Sequence, residues 1–237
     1  MTMTASARGY LVHAYTASTL VVFSYGLMWL LEGHFRLTLL AMAVTIVIDA
    51  TDGALARHFR VKETAPAIDG ELLDNIVDFL SYVVLPLLFA VHANLLLPPL
   101  PLWLALVLLA SVFGFSRSTA KLASEAAFVG FPSYWNIVVL YWYLWGTPPL
   151  FNTVMLVVLA VLVFVPWRFL YISRLLVGRL QHVTLATLWG ALCLWLLWLE
   201  PSLWRSTLLY ASLSYPLYYS FCSWQQNLNA SQHFVDA

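Results

Sequence analysis

Charge is what this sequence has least of. Charged residues make up 9% of the chain, 11 basic against 11 acidic, for a formal net charge of zero. A soluble domain carries about 25%, so there is too little polar surface here to face water on every side. A neutral balance without a basic stripe also excludes nucleic acid as a partner, because nothing neutralises phosphates along a groove. Cysteine is nearly absent too. Cys193 and Cys222 lie far apart within apolar stretches, which argues against a disulfide framework or a thiolate metal site and for two buried apolar thiols. No soluble domain, repeat or low-complexity linker interrupts the chain. What fills it is apolar: 62% hydrophobic residues and a mean hydropathy of +0.83. The solvent for such a chain is lipid.

Crossing a bilayer takes about 20 apolar residues in a helix. Eight stretches qualify, at about 10–31, 37–57, 71–93, 98–116, 131–146, 150–172, 183–199 and 203–224. The fifth is short, and its start is expected nearer Glu125. Leu11 to Leu31 is longer than the roughly 7–15 residues of a signal-peptide core, so it reads as a retained span. The breaks at Leu97-Pro98-Pro99 and at Gly146-Thr147-Pro148-Pro149 are tight, as in antiparallel helical hairpins. Pro86 and Pro166 are expected to kink their helices. The expected fold is all-α: one integral membrane domain over 1–237, a polytopic bundle of about eight transmembrane helices. With the N-terminus inside, nine basic residues (Arg8, Arg57, Arg60, Lys62, Arg117, Lys121, Arg168, Arg174 and Arg179) fall on the cytoplasmic side and two (Arg36 and Arg205) opposite. That asymmetry predicts cytoplasmic termini and a cytoplasmic loop between spans two and three.

Seven of the eleven acidic residues lie between Asp49 and Asp78. Asp49 and Asp52 are i,i+3 neighbours at the end of span two. Asp74 and Asp78 are i,i+4 neighbours at the start of span three. Each pair therefore shares a helix face, and a hairpin brings both faces to one interface. Four carboxylates in one place cannot all ionise uncompensated: either some stay protonated or cations sit among them. All-oxygen ligation selects Mg²⁺ or Mn²⁺, with Ca²⁺ a further option, over zinc. A pair of ions about 4 Å apart suits displacement at phosphorus. Gly53 admits a bulky ligand to the backbone, Ala56 keeps the same face open, and Arg57 stands one turn on, placed to pair with a phosphate. Asp69 and Glu71 read as solvated loop charges. A competing reading is a cation pathway through a transporter, but such sites lie at mid-membrane on broken helices.

Asp49-x-x-Asp52-Gly53-x-x-Ala56-Arg57, a spacer, then Gly70-x3-Asp74-x3-Asp78 resembles the signature of the CDP-alcohol phosphatidyltransferase family at all eight fixed positions. The spacer is twelve residues long, longer than most members have. Together with Val61-Lys62-Glu63, Pro66, Tyr82-Val83, Pro86, Gly130–Asn136 and Val165–Arg168, it resembles the bacterial phosphatidylcholine-forming branch, from about His13 to Arg179. The resemblance implies transfer of a phosphatidyl group from CDP-diacylglycerol to choline with release of CMP, in the bacterial inner membrane and facing the cytoplasm. It implies Mn²⁺ or Mg²⁺ on Asp49, Asp52, Asp74 and Asp78, with Asp78 also the general base. Asp52, Gly53, Ala56, Arg57, Gly70 and Asp74 would hold the CDP moiety, and a homodimer is left open. Serine, inositol phosphate or glycerol phosphate are alternative acceptors.

A quaternary ammonium donates no hydrogen bonds through its head and is held by aromatic faces and a carboxylate. Tyr82, Tyr134, Trp135 and Glu125 are the candidates for that contact, and Arg117 and Arg168 for lipid phosphate. Basic residues on a cytoplasmic side need no ligand, however. His13 reads as a hydrogen-bonded packing residue.

Overall fold

The computed structural model describes residues 4–117, 121–122 and 126–235. It is predominantly helical and comprises two compact units, one formed by residues 1–96 with 134–140 and one by 97–133 with 141–237.

In the first unit, α1 (Ala5–Ala17) and α2 (Thr19–Leu31) follow one another through Ser18. They precede α3 (Phe35–His58), the single turn α4 (Val61–Thr64) and α5 (Gly70–Asp78). A π-helical turn (Phe79–Val84) then leads into α6 (Leu85–His92). Three continuous helical runs, Ala5–Leu31, Phe35–His58 and Gly70–His92, are 27, 24 and 23 residues long and strongly apolar. At 1.5 Å per residue they reach about 35–40 Å, more than the roughly 30 Å of a hydrocarbon core. They coincide with the first three expected spans, the first beginning five residues earlier than expected.

The twelve-residue spacer is built rather than slack. It contains α4, whose Val61, with Ala65 just after it, buries against Val12 of α1, and Leu55, Ala56 and Phe59 pack on the same cluster. A Cβ on Gly9 would stand 2.5 Å from Thr64 Oγ1 and 2.9 Å from the Ala65 Cβ. Only glycine lets α1 come this close to the spacer. Beyond the spacer, Asp69 caps α5 by accepting from the Glu71 and Leu72 amides at 3.0 and 3.1 Å. Asp69 is thus more than a solvated charge: it sets where α5 begins and complements its dipole.

At Pro86 the structure shows a widened turn within a continuous helical run. The proline's missing N–H and its ring strain an α-helix at the carbonyl four residues earlier, which belongs to Tyr82. The chain responds by widening there, with Leu85 N–H donating to Leu80 C=O across five residues.

The second unit contains α7 (Leu100–Ser116), α9 (Pro149–Leu162), α10 (Arg179–Leu196), α11 (Leu203–Ser212) and α12 (Ser214–Val235). Segment 134–140, with the start of α8 (Trp135–Trp145), groups with the first unit. Three expectations are corrected. Helix α8 begins at Trp135, not near Glu125, and is only 11 residues long. Helix α9 ends at Leu162 rather than continuing to 172. The chain is also not purely α: β1 (Lys121–Leu122), β2 (Ala127–Val129) and β3 (Arg168–Leu170) form a small antiparallel sheet in the order β1-β2-β3, with Ala127 opposite Leu170 and Val129 opposite Arg168. The reason is local. Pro166 cannot continue the α9 ladder and biases Val165 towards extended backbone. Gly130, at φ +83°, turns the chain so that its amide meets Trp167 C=O at 2.8 Å.

The far edge of β3 is closed by side chains. Tyr219, Ser223 and Asn227 stand four residues apart along α12. Tyr219 OH donates to Leu170 C=O at 2.9 Å, and Ser223 Oγ accepts from the Leu170 amide at 3.1 Å. The Asn227 amide both accepts from Arg168 N–H at 2.9 Å and donates to Arg168 C=O at 2.8 Å. A helix stripe thus supplies the pairing that another strand would.

Candidate active site

The C-terminal half of α3 carries Asp49 and Asp52, and α5 carries Asp74 and Asp78. Carboxylate oxygens of Asp49, Asp74 and Asp78 come within 4.8 Å of one another. Charges at such distances repel by about 3–4 kcal/mol per pair at an effective dielectric constant near 20. A divalent cation among them, or retained protons, relieves that repulsion. The donor set is oxygen only, which fits Mg²⁺ or Mn²⁺.

Asp52 stands differently. It is only 6% exposed and accepts a 2.8 Å hydrogen bond from Thr16 Oγ1 on α1. It is not one of the three converging carboxylates. Thr16 was not among the residues singled out from sequence. The signal was there, in the stripe of Gly9, Val12, His13 and Thr16, which puts two polar residues on the buried face of an otherwise apolar run. Thr16→Val keeps the volume and removes the donor, so it should cost about 1–3 kcal/mol. A lowered melting midpoint in detergent, restored in Thr16→Ser, is the expected result. An unchanged midpoint would mean that Thr16 does not support Asp52.

Arg57 is exposed and folds back over Gly53: its Nη1 lies 3.4 Å from where a Gly53 Cβ would be. Ala56 packs against the Val12–Val61–Ala65 cluster. Gly70 lies against His13, whose Cε1 would be 3.0 Å from a Cβ there. His13 is itself buried, with Nε2 3.4 Å from Ala65 C=O. Gly70 therefore admits the His13 ring, a packing reason for glycine that the motif alone does not express.

Among the aromatic candidates, Tyr82 OH donates to Asp49 Oδ2 at 2.6 Å, and its ring centroid lies 6.4 Å from that of Tyr134. Trp135 is fully buried at 1% exposure. Arg117 ends α7, and Arg168 begins β3 with its backbone held by Asn227. Both belong to the second unit. Glu125 lies outside the described residues.

Residues 11–215 match the family model described as CDP-alcohol phosphatidyltransferase. The chain is 41% identical over 167 residues to a phosphatidylcholine synthase of Legionella pneumophila, covering 69% of this chain and 65% of that relative, so it spans just under two thirds of the relative's length. It is 34% identical over 166 residues to one from Borreliella burgdorferi, covering 70% of each. A third, from Bradyrhizobium diazoefficiens, is 33% identical over 192 residues, covering 81% of this chain and 72% of the relative.

Proposed function

The chain belongs to the CDP-alcohol phosphatidyltransferase family, and on that premise we propose that it makes phosphatidylcholine from CDP-diacylglycerol and choline. The observation that carries this reading is the convergence of Asp49, Asp74 and Asp78, all residues of the motif, from two helices. The names of the relatives favour choline as acceptor.

In this reading Asp49, Asp74 and Asp78 hold Mg²⁺ or Mn²⁺, with Asp52 completing the site from its buried position. The ions supply charge neutralisation at the pyrophosphate. Arg57, beside the open face of Gly53, pairs with a phosphate oxygen of the nucleotide. Choline's hydroxyl oxygen attacks the phosphorus that bears diacylglycerol. That O–P bond forms as the bond to the CMP oxygen breaks, and CMP leaves with the electron pair. The hydroxyl proton passes to Asp78 and then to water. A positioned base is needed because an alcohol at neutral pH is a poor nucleophile. The site lies in the C-terminal half of α3 and the N-terminal half of the Gly70–His92 run, and acyl chains would stay in lipid while cytidine and choline arrive from water. The nine-to-two distribution of basic residues supports a site on the cytoplasmic side, and the bacterial relatives support the inner membrane.

Purified protein given CDP-diacylglycerol, Mn²⁺ and radiolabelled choline should yield labelled phosphatidylcholine and one CMP per lipid formed. Product from serine, inositol phosphate or glycerol phosphate, and none from choline, would replace the acceptor. No CMP with any acceptor would remove the transferase reading.

A further inference from the structure

We infer that Tyr82, which lies outside the aspartate motif, is a positioning residue for Asp49, acting on the metal site rather than on the acceptor. The inference rests on the metal-site reading above and extends it by one residue.

The torsion that rotates a carboxylate about its Cβ–Cγ bond is broad and poorly confined by its own sterics. An aspartate asked to present a particular oxygen to a cation therefore needs an outside hold. Tyr82 supplies one, because its hydroxyl donates to Asp49 Oδ2 at 2.6 Å. That length is in the range of O–H···O⁻ bonds strengthened by charge. Holding Oδ2 fixes where Oδ1 points, and partners of this kind tune both ligand orientation and metal affinity.

The backbone is arranged for this contact. Tyr82 sits within the π-helical turn Phe79–Val84, and its carbonyl is the one that the Pro86 ring would crowd in a regular helix. The widened turn relieves that clash and changes the angular advance between Asp78 and Tyr82, so one helical run both carries a carboxylate of the site and reaches across to a carboxylate on α3. Tyr82 is 7% exposed, and the Tyr134 ring lies beside its own, tilted at 46°. A side chain this enclosed, with its hydroxyl engaged on a carboxylate, has little surface left for a substrate.

The test is Mn²⁺ binding to the full-length protein in detergent, followed by electron paramagnetic resonance of free Mn²⁺ without substrates, beside choline KM at saturating Mn²⁺. Tyr82→Phe should weaken Mn²⁺ binding about 10-fold, the low end of what loss of such a partner costs, and leave choline KM unchanged. Unchanged Mn²⁺ affinity would overturn the inference. So would a raised choline KM at unchanged Mn²⁺ affinity, which would make Tyr82 an acceptor contact. Tyr82→Gln keeps a donor and removes the ring, and it should bind Mn²⁺ more tightly than Tyr82→Phe. The reverse order would assign the role to the ring and also overturn the inference. Wild-type protein that binds no Mn²⁺ would remove the metal reading, and this inference with it.

Discussion

Asp78→Asn should reduce CMP release by about 10³-fold or more while leaving the protein folded. General-base catalysis alone is worth roughly 10²–10⁴-fold, and a 10³-fold loss corresponds to about 4 kcal/mol of barrier. Asparagine has the shape of aspartate but neither its charge nor its capacity to take a proton. The same change also removes one of three carboxylates that lie within 4.8 Å of one another. The relief of repulsion makes a collapse of the fold an unsuitable explanation for lost turnover. Asp69→Asn is the matched control. Asp69 is exposed and caps α5, and asparagine caps a helix about as well as aspartate, so turnover should be retained. Labelled-choline incorporation by the two variants side by side checks both, and full turnover in Asp78→Asn would remove Asp78 as the base.

Stripping divalent cations should have an effect of similar size. Turnover should fall to background in EDTA and return with Mn²⁺ or Mg²⁺, because the converging oxygens of Asp49, Asp74 and Asp78 otherwise face each other's charge. A ligand that binds only the folded protein also stabilises it, by about 2.7 kcal/mol at a hundred times its dissociation constant. The melting midpoint should therefore rise with added Mn²⁺ and fall on chelation. Full activity in protein shown to be metal-free by elemental analysis would sink the metal reading, whatever the melting data showed.

The first unit was legible in the sequence for a physical reason: its three long runs are uninterrupted, and hydropathy reads continuous apolar helix well. The aspartate pairs were legible because i,i+3 and i,i+4 spacing is a local property. Thr16 reaching Asp52, and Tyr82 reaching Asp49, join residues 36 and 33 positions apart, and no local period encodes such a bond. The end of α9 differs from the expected span because Pro166 reads in the sequence as a kink within a helix to 172, whereas the helix stops at Leu162, ahead of the proline. The sheet was missed because its strands are two or three residues long, too short to show alternation. Asp69 is exposed, as expected, and what the sequence reading lacks is its capping role, although an aspartate just ahead of a Gly-Glu-Leu-Leu helix start is a capping signal.

The closure of β3 by α12 divides the burden of recognition unevenly. Arg168 and Leu170 meet Tyr219, Ser223 and Asn227 through main-chain N–H and C=O groups, and any non-proline residue carries those. Tyr219, Ser223 and Asn227 answer with particular side chains at particular heights. The pairing along this edge should therefore survive replacements in β3 that keep its extended backbone, whereas one at position 227 withdraws a donor and an acceptor together. Truncation ahead of Tyr219 would leave a bare strand edge, the kind of surface through which chains add to one another. For anyone expressing this protein, the C-terminal helix is thus a safeguard against self-association, and an unsuitable place to trim.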